Sequence, residues 1–444
     1  MSPLVLEPSS ANATPAPAAT NPVAVTPAKA FAGSAGGTTY GQMLQNAIIA
    51  GNIPQIVMYA ISNALWKGTS DIHIEPEEKT VRIRYRVDGM LQHIVEYPTN
   101  IHPAVISRVK IMSNLKIDEQ RIPQDGRTQV TTDEGRNIDL RVSSLPTVNG
   151  EKIVMRLQDK TQTIPDLPAL GMDGTGLEKM ERLLDLPNGI ILVTGPTGSG
   201  KTNTLYSALA RLNEVGVNIM TFEDPVEYQM DGLNQSQVKP EIKYDFAMGL
   251  RTALRQDPDI IMVGEIRDQE TIEIAIRAAL TGHQVFSTVH TNSAVGTLVR
   301  ILDMGVKPFL ITSSIRGILA QRLVRKICPH CREAYSPDAS LTEEIKKELQ
   351  GVSPKDLDPA LLQTPQLYRG KGCERCTGGY KGRLGIFEIL EMERGVAELV
   401  LKNATDDALM DAAKKSGMLT LKQDGLIKAL KGFTSFEEVY RTVQ

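Results

Sequence analysis

The chain has 444 residues, with 49 basic and 52 acidic side chains and a formal net charge of −3. That balance excludes bulk electrostatic attraction to nucleic acid as its working principle. Hydrophobic residues make up 41 %, enough for cores of about three domains, yet no apolar run approaches the roughly 18 residues needed to cross a bilayer, and the start lacks the basic and apolar regions of a secretory signal.

Residues 1–38 are rich in Ala, Pro, Thr and Ser. Such a composition buries too little apolar surface to order itself, so a disordered tail is expected, either a plain extension or a docking segment. A small α+β unit is expected over 39–165. Pro54 suits the first turn of a helix, and Ile56, Val57, Ala60, Ile61, Ala64 and Leu65 make one apolar face. Val81, Ile83, Tyr85 and Val87 then alternate with Arg82, Arg84, Arg86 and Asp88, the period of a half-buried strand with three arginines on its other face. Asp88-Gly89 and Asn149-Gly150 are turn signals. Arg121 and Arg127 flank an expected turn at Pro123 to Gly126.

Over 177–323, apolar runs at 190–194, 219–222, 260–263 and 285–288 alternate with helical patterns. That alternation predicts a parallel sheet covered by helices. Immediately after the first of these strands comes Gly195-Pro196-Thr197-Gly198-Ser199-Gly200-Lys201-Thr202, a complete G-x-x-x-x-G-K-[ST] phosphate-binding loop. Its glycines let backbone N–H groups turn toward phosphate oxygens. Lys201 is expected to reach the β- and γ-phosphates of a nucleotide, and the Thr202 hydroxyl to hold Mg²⁺. Leu205, Ala208, Leu209 and Leu212 follow at helical spacing, so the loop opens a helix whose N-terminus favours anions.

Hydrolysis needs an acid as well. Ordinary P-loop enzymes carry Asp at the end of a neighbouring strand; here that position is Gly264, and Glu265 is the carboxylate left to serve. Glu223, Asp224 and Glu227 follow another strand and form a second acidic group. His283 and His290 bracket the last strand. His290, at the C-terminal end, suits a γ-phosphate sensor, while His283 is balanced between a catalytic and a structural role. Arg255 and Arg267 flank the Glu265 strand. No Asn-Lys-x-Asp guanine-reading motif follows the loop, which disfavours GTP.

Cys328-x-x-Cys331 and Cys373-x-x-Cys376 use every cysteine of the chain. Two such knuckles in a cytoplasmic protein read as one tetrahedral Cys₄ zinc site of structural type, expected to define an element over 324–382. A helical region is expected over 383–444.

Together these residues carry a family resemblance. The chain resembles the secretion ATPases of type II secretion and type IV pilus assembly. The phosphate loop matches, as do Thr221 to Tyr228, Leu254 to Asp259 with Val263 to Asp268, and Thr281 to His283 with Ser287 to Asn292. Ser70 to Glu75 and Arg84 to Gly89 resemble the N-terminal domain of the same family. The resemblance implies an α/β architecture: a RecA-like P-loop ATPase domain with a parallel sheet, preceded by a PAS-like α+β domain and followed by the zinc element and helices. It implies a homo-hexameric ring that binds ATP and Mg²⁺ and hydrolyses ATP. Such a ring would sit at the inner face of the inner membrane and act on a platform protein there, without direct contact to nucleic acid. It assigns catalysis to Lys201, Glu265, Glu223, Asp224, His283 and His290, and points to Arg86 and Arg121 as arginines that reach across subunits. The cysteine pairs favour the assembly branch over the retraction branch, which lacks them. A motor for DNA uptake or conjugation on the same core, and a nucleotide-binding switch of low turnover, are the alternatives.

Overall fold

The computed structural model describes residues 39–131, 137–159 and 163–443; the expected tail over 1–38 lies outside them. Two sheets organise the chain. The first is built from β1 (Thr69–Pro76), β2 (Thr80–Val87), β3 (Met90–Pro98), β4 (Gln124–Thr131), β5 (Asn137–Thr147) and β6 (Gly150–Asp159), in the order β3-β2-β1-β6-β5-β4 with every pair antiparallel. Helices α1 (Tyr40–Ile49), α2 (Ile53–Trp66) and α3 (His102–Met112) bury their apolar stripes on one face of it. Pro54 does stand in the first turn of α2. Ile56, Val57, Ala60, Ile61 and Ala64 meet Ile72, Ile83 and Tyr85 in that core. The turn expected at Pro123 to Gly126 is absent: β4 has begun by Gln124, and Arg127 pairs with Arg141 across the β4–β5 ladder. Gly126 reads as a turn residue but is needed in the strand, because a Cβ there would stand 2.5 Å from the Ser113 carbonyl oxygen.

The opposite face of this sheet is charged, and its acids are paired within the sheet. Arg84 donates to both carboxylate oxygens of Glu75, at 2.8 and 3.0 Å, and Lys152 pairs with it at 2.8 Å. Burial alone would raise the Glu75 pKa, but these cations outweigh burial and hold it at about 2. Arg156 donates to Asp71 at 2.9 Å. Alternation along β2 thus places the arginines as expected, over two acids of β1.

The second sheet contains β7 (Gly189–Thr194), β8 (Ile219–Glu223), β9 (Leu233–Gln237), β10 (Ile260–Val263), β11 (Gln284–Val289), β12 (Ile315–Ile327) and β15 (Tyr380–Glu391), in the order β15-β12-β7-β11-β10-β8-β9. All neighbours are parallel except β15, which runs antiparallel to β12 at the edge. Strands covered on both faces read as continuous apolar runs, and β7, β10 and β11 are buried along their whole lengths. One face packs on α4 (Gly174–Leu184) and α5 (Lys201–Leu212); the other packs on α6 (Phe246–Ala253), α7 (Gln269–Leu280), α8 (Ala294–Asp303), α9 (Pro308–Ser314), α12 (Arg394–Leu401) and α13 (Asp406–Lys415).

The domain limits expected at 323/324 and 382/383 fall inside β12 and β15. The reason is packing: Val324, Leu384, Ile386, Ile389 and Leu390 are buried, so the strands run past those limits and the region expected to be helical opens on a strand. Between β12 and β15 lie the short hairpin strands β13 (Arg332–Tyr335) and β14 (Leu367–Gly370), with α10 (Ala339–Glu348) and α11 (Pro359–Gln363). The terminal helices α14 (Leu421–Leu430) and α15 (Phe436–Val443) pack on this excursion.

Glu438 of α15 locks that packing. Its side chain is 1 % exposed, and it accepts from Arg325 of β12 (3.1 and 2.8 Å) and from Arg441 (3.0 and 2.5 Å). Burial would raise its pKa; the two arginines outweigh burial and hold it at about 2, against an ordinary 4.5. A depressed carboxylate stabilises the fold fully above its unfolded pKa, and the effect is lost as pH falls through the folded value. Glu438→Gln is therefore expected to cost about 2 kcal/mol at pH 7. The gap from wild type should close as pH falls from 4.5 toward 2, and urea unfolding at several pH values reads it.

Candidate nucleotide site and cysteine cluster

Parallel strands deliver their C-terminal ends to one edge of the sheet, where ligands bind. Here β7 delivers the phosphate loop, with Gly195, Gly198 and Gly200 all at positive φ. Gly195 is required on two grounds. Its φ is 149°, and a Cβ there would stand 2.6 Å from both the Gln321 carbonyl oxygen and the Ser199 Oγ. Gly200 occupies the N-cap of α5 in the left-handed region, where it can offer no side-chain cap. The first N–H groups of α5 therefore face the loop, as an anion site requires. Pro196, Thr197 and Gly198 form the exposed crest, and Thr202 is half-buried in the first turn of α5. Lys201 Nζ donates to the carbonyls of Gly195 (2.8 Å) and Pro196 (3.2 Å). Burial lowers its pKa, the charge of Glu265 opposes that, and Arg322 adds to the lowering.

The loop has a buried brace that sequence reasoning missed. Gln321 of β12 is 1 % exposed; its Nε2 donates to the Ser199 carbonyl at 2.7 Å, and its Oε1 accepts from Thr204 of α5 at 2.8 Å. A second brace joins β7 to β11: the Thr194 hydroxyl lies 2.7 Å from that of Thr291 and accepts from the Thr291 N–H at 2.9 Å. A polar residue interrupting the apolar run before Leu323 was the available signal for Gln321.

Glu265 follows β10, two strands from the loop, with 14 % of its side chain exposed. Arg267 bonds to its Oε1, and His290 Nε2 lies 3.2 Å from its Oε2. The structure thus brings Lys201, Glu265 and His290 to one edge. Gly264 has a steric reason to be glycine: a Cβ would stand 3.2 Å from both the Phe222 carbonyl oxygen and the Phe246 ring, so an Asp at the ordinary position would crowd α6.

Other expected site residues are placed elsewhere. His283 precedes β11 and lies at the opposite edge of the sheet, about 20 Å of strand away; its Nδ1 is 2.9 Å from the Ala278 carbonyl oxygen, and it closes the turn after α7. Glu223 is turned inward and is 3 % exposed. Its Oε1 accepts from Thr221 (2.6 Å) and Gln235 (3.2 Å), and its Oε2 from Tyr206 (2.5 Å). Burial raises its pKa. With hydrogen bonds to both oxygens, Glu223 ties β8 and β9 to α5. Asp224 is exposed at the strand end and acts electrostatically on Arg267. Glu227 meets Arg141 (3.1 Å) and Gln158, which joins the two sheets. Arg86 donates to the Gly89 carbonyl at 3.0 Å and lies 3.8 Å from Asp71. Arg121 is 88 % exposed and grips Glu119 through Nε (3.1 Å) and Nη2 (2.8 Å). Neither arginine touches the loop of its own chain.

The four cysteines meet where β12 ends and β15 begins. Their sulfurs all lie within 4.8 Å of one another, with pairs at 3.9, 3.7 and 3.6 Å. A tetrahedron with metal–sulfur bonds of about 2.3 Å has edges of about 3.8 Å, so the set fits a Cys₄ metal ion, whereas a disulfide needs about 2.05 Å. Cys373 N–H donates to Cys376 Sγ at 3.2 Å. Gly370 and Gly379 let the second knuckle close, since a Cβ on either would stand within 2.4 Å of the other's backbone.

A family model described as "Type II/IV secretion system protein" matches residues 47–441. The chain belongs to this family of secretion ATPases. It is 46 % identical over 393 residues to the type II secretion system ATPase E of Vibrio cholerae serotype O1, covering 88 % of this chain and 75 % of that one. It is also 46 % identical over 388 residues to the type IV pilus assembly ATPase PilB of Myxococcus xanthus, covering 87 % and 67 %. The pilus retraction motor PilT with bound ADP superposes on this secretion ATPase with a TM-score of 0.56 at 27 % identity, covering 86 % of this chain and 95 % of that one. The Legionella pneumophila ATPase DotB shares the fold, with a TM-score of 0.62 at 22 % identity over 87 % of this chain and 95 % of that one. Among the described residues, no helix is long and apolar enough to cross a membrane.

Proposed function

We propose that this ATPase works as a homo-hexameric motor that powers assembly of a type IV pilus or a type II secretion pseudopilus, acting on a platform protein at the inner face of the inner membrane. The observation that carries the reading is the shared edge of β7, β10 and β11, with Lys201 on the phosphate loop and Glu265 held between Arg267 and His290. The loop N–H groups and Lys201 bind the phosphates of ATP. Thr202 is the residue to hold Mg²⁺, which neutralises phosphate charge when bound. Glu265 orients the attacking water and takes its proton, and His290 reports on the terminal phosphate. Arg86 and Arg121 serve a neighbouring subunit. Arg121 is the better suited, being outward and held by its own acid. Cys328, Cys331, Cys373 and Cys376 hold zinc, and this supports the assembly branch.

The test is ATP turnover per chain as a function of protein concentration, for wild type and Lys201→Ala. The expected result is a wild-type rate that rises as rings assemble, and a variant that neither binds ATP tightly nor turns it over. A wild-type rate that is finite but independent of concentration would overturn the ring. Negligible turnover at every concentration, with ATP bound, would replace the motor by a nucleotide switch.

A further inference from the structure

The molecule carries a second cation at the phosphate loop. Arg322 follows Gln321 on β12, and successive strand residues face opposite sides. Gln321 turns to α5; Arg322 turns to the end of β11. Its Nη1 donates to the Gln321 carbonyl at 3.0 Å, and its Nη2 donates to the carbonyl and the side-chain oxygen of Asn292, both at 3.1 Å. That same Gln321 carbonyl oxygen is the one a side chain at Gly195 would strike at 2.6 Å. The guanidinium therefore lies beside the first glycine of the loop, whose own carbonyl accepts from Lys201.

All three acceptors of Arg322 are neutral, and it forms no ion pair among the described residues. The acid that acts on it from a distance is Glu388 of β15, whose carboxylate already accepts the Ala294 N–H of α8 at 2.7 Å. Burial presses the Arg322 pKa down, and Arg322 in turn disfavours the charged form of Lys201. Two half-buried cations that repel each other cost free energy unless an anion joins them, and a guanidinium fork matches phosphate geometry. The tether fixes which phosphate. Asn292 stands two residues beyond His290, in the bend that follows β11 at its C-terminal end, and β11 lies between the loop strand β7 and β10, the strand that leads to Glu265, so it draws the guanidinium toward the hydrolytic side.

We propose that Arg322 binds the terminal phosphate of ATP in its own subunit, with Asn292 as the positioning residue that holds its guanidinium there. The proposal rests on the ATP-hydrolysis reading above.

The experiment measures the affinities of ATP and ADP for the full-length protein by calorimetry with Mg²⁺, for wild type, Arg322→Ala, Arg322→Lys, Asn292→Ala and Asn292→Asp. Ligand-free melting temperatures serve as the folding control. Arg322→Ala should weaken ATP by about tenfold or more, the scale of one charge-assisted contact, and ADP much less. Arg322→Lys should fall between, keeping the charge without the fork. Asn292→Asp should weaken ATP more than Asn292→Ala, because a carboxylate would compete with phosphate for the guanidinium; a merely structural Asn292 would not show that order. Equal losses for ATP and ADP, or unchanged ATP affinity in Arg322→Lys and Arg322→Ala, would overturn the proposal. A wild type that binds neither nucleotide would overturn the ATP reading itself, and the proposal with it.

Discussion

Glu265→Gln is expected to lower ATP turnover by about 10²- to 10⁴-fold, the range for loss of a positioned general base, while ATP still binds. The amide keeps the shape of the side chain at the end of β10 and can still meet His290, which lies 3.2 Å from the Oε2 of Glu265, but it cannot take a proton from water. It also meets Arg267 with an acceptor weaker than a carboxylate, so the hydrogen bond that raises the Arg267 pKa most is weakened. Single-turnover rates with saturating ATP separate the two effects: a loss confined to the chemical step supports Glu265 as the base. A variant with full turnover would shift that role to Asp224, the exposed carboxylate at the end of β8 that also acts on Arg267.

The contrast between Glu265 and Glu223 shows how far the sequence alone could see. Both stand at the ends of apolar strands, where the sequence pattern predicts acids at the ligand edge. Parallel topology put β7, β10 and β11 side by side, so Lys201, Glu265 and His290 converged as the alternation of strands and helices implied. Glu223 was captured by Tyr206, which reaches it from α5, seventeen residues away in sequence; only the packing of α5 on β8 decides that. His283 brackets the same strand as His290, but a parallel strand has a binding end and a far end, and His283 is at the far end. The domain limits expected near 324 and 383 fall inside β12 and β15 for a related reason. Gln321, Arg322 and Arg325 break the apolar run of β12 with polar side chains whose partners are Ser199, Asn292 and Glu438. A strand that braces a site and anchors a helix has an irregular pattern because each polar position answers to a different partner.

Replacing all four cysteines by serine is expected to release one zinc ion per chain and to open the segment from 328 to 380. The wild type measured by metal analysis supplies the reference. Hydroxyls are poor ligands compared with thiolates, and a structural zinc contributes about 10–16 kcal/mol in isolated zinc-finger peptides at neutral pH. The cost here is smaller, because β12 and β15 pair from Gly317 with Glu391 to Ile327 with Tyr380 and hold the two knuckles close without help from a metal. The damage should therefore be local. Proteases should cut within 339–363, where α10 and α11 lose the anchor of the β13–β14 hairpin, while the core around β7 and β11 survives and ATP still binds. Arg325 stacks on Tyr380 at 4.1 Å and pairs with Glu438, so α15 gives a second readout: it should loosen if Tyr380 shifts when the knuckle opens. A wild type with no bound zinc after purification in zinc-containing buffer would overturn the assignment. A quadruple variant with zinc lost and protease resistance unchanged would mean that the β12–β15 ladder alone holds this element.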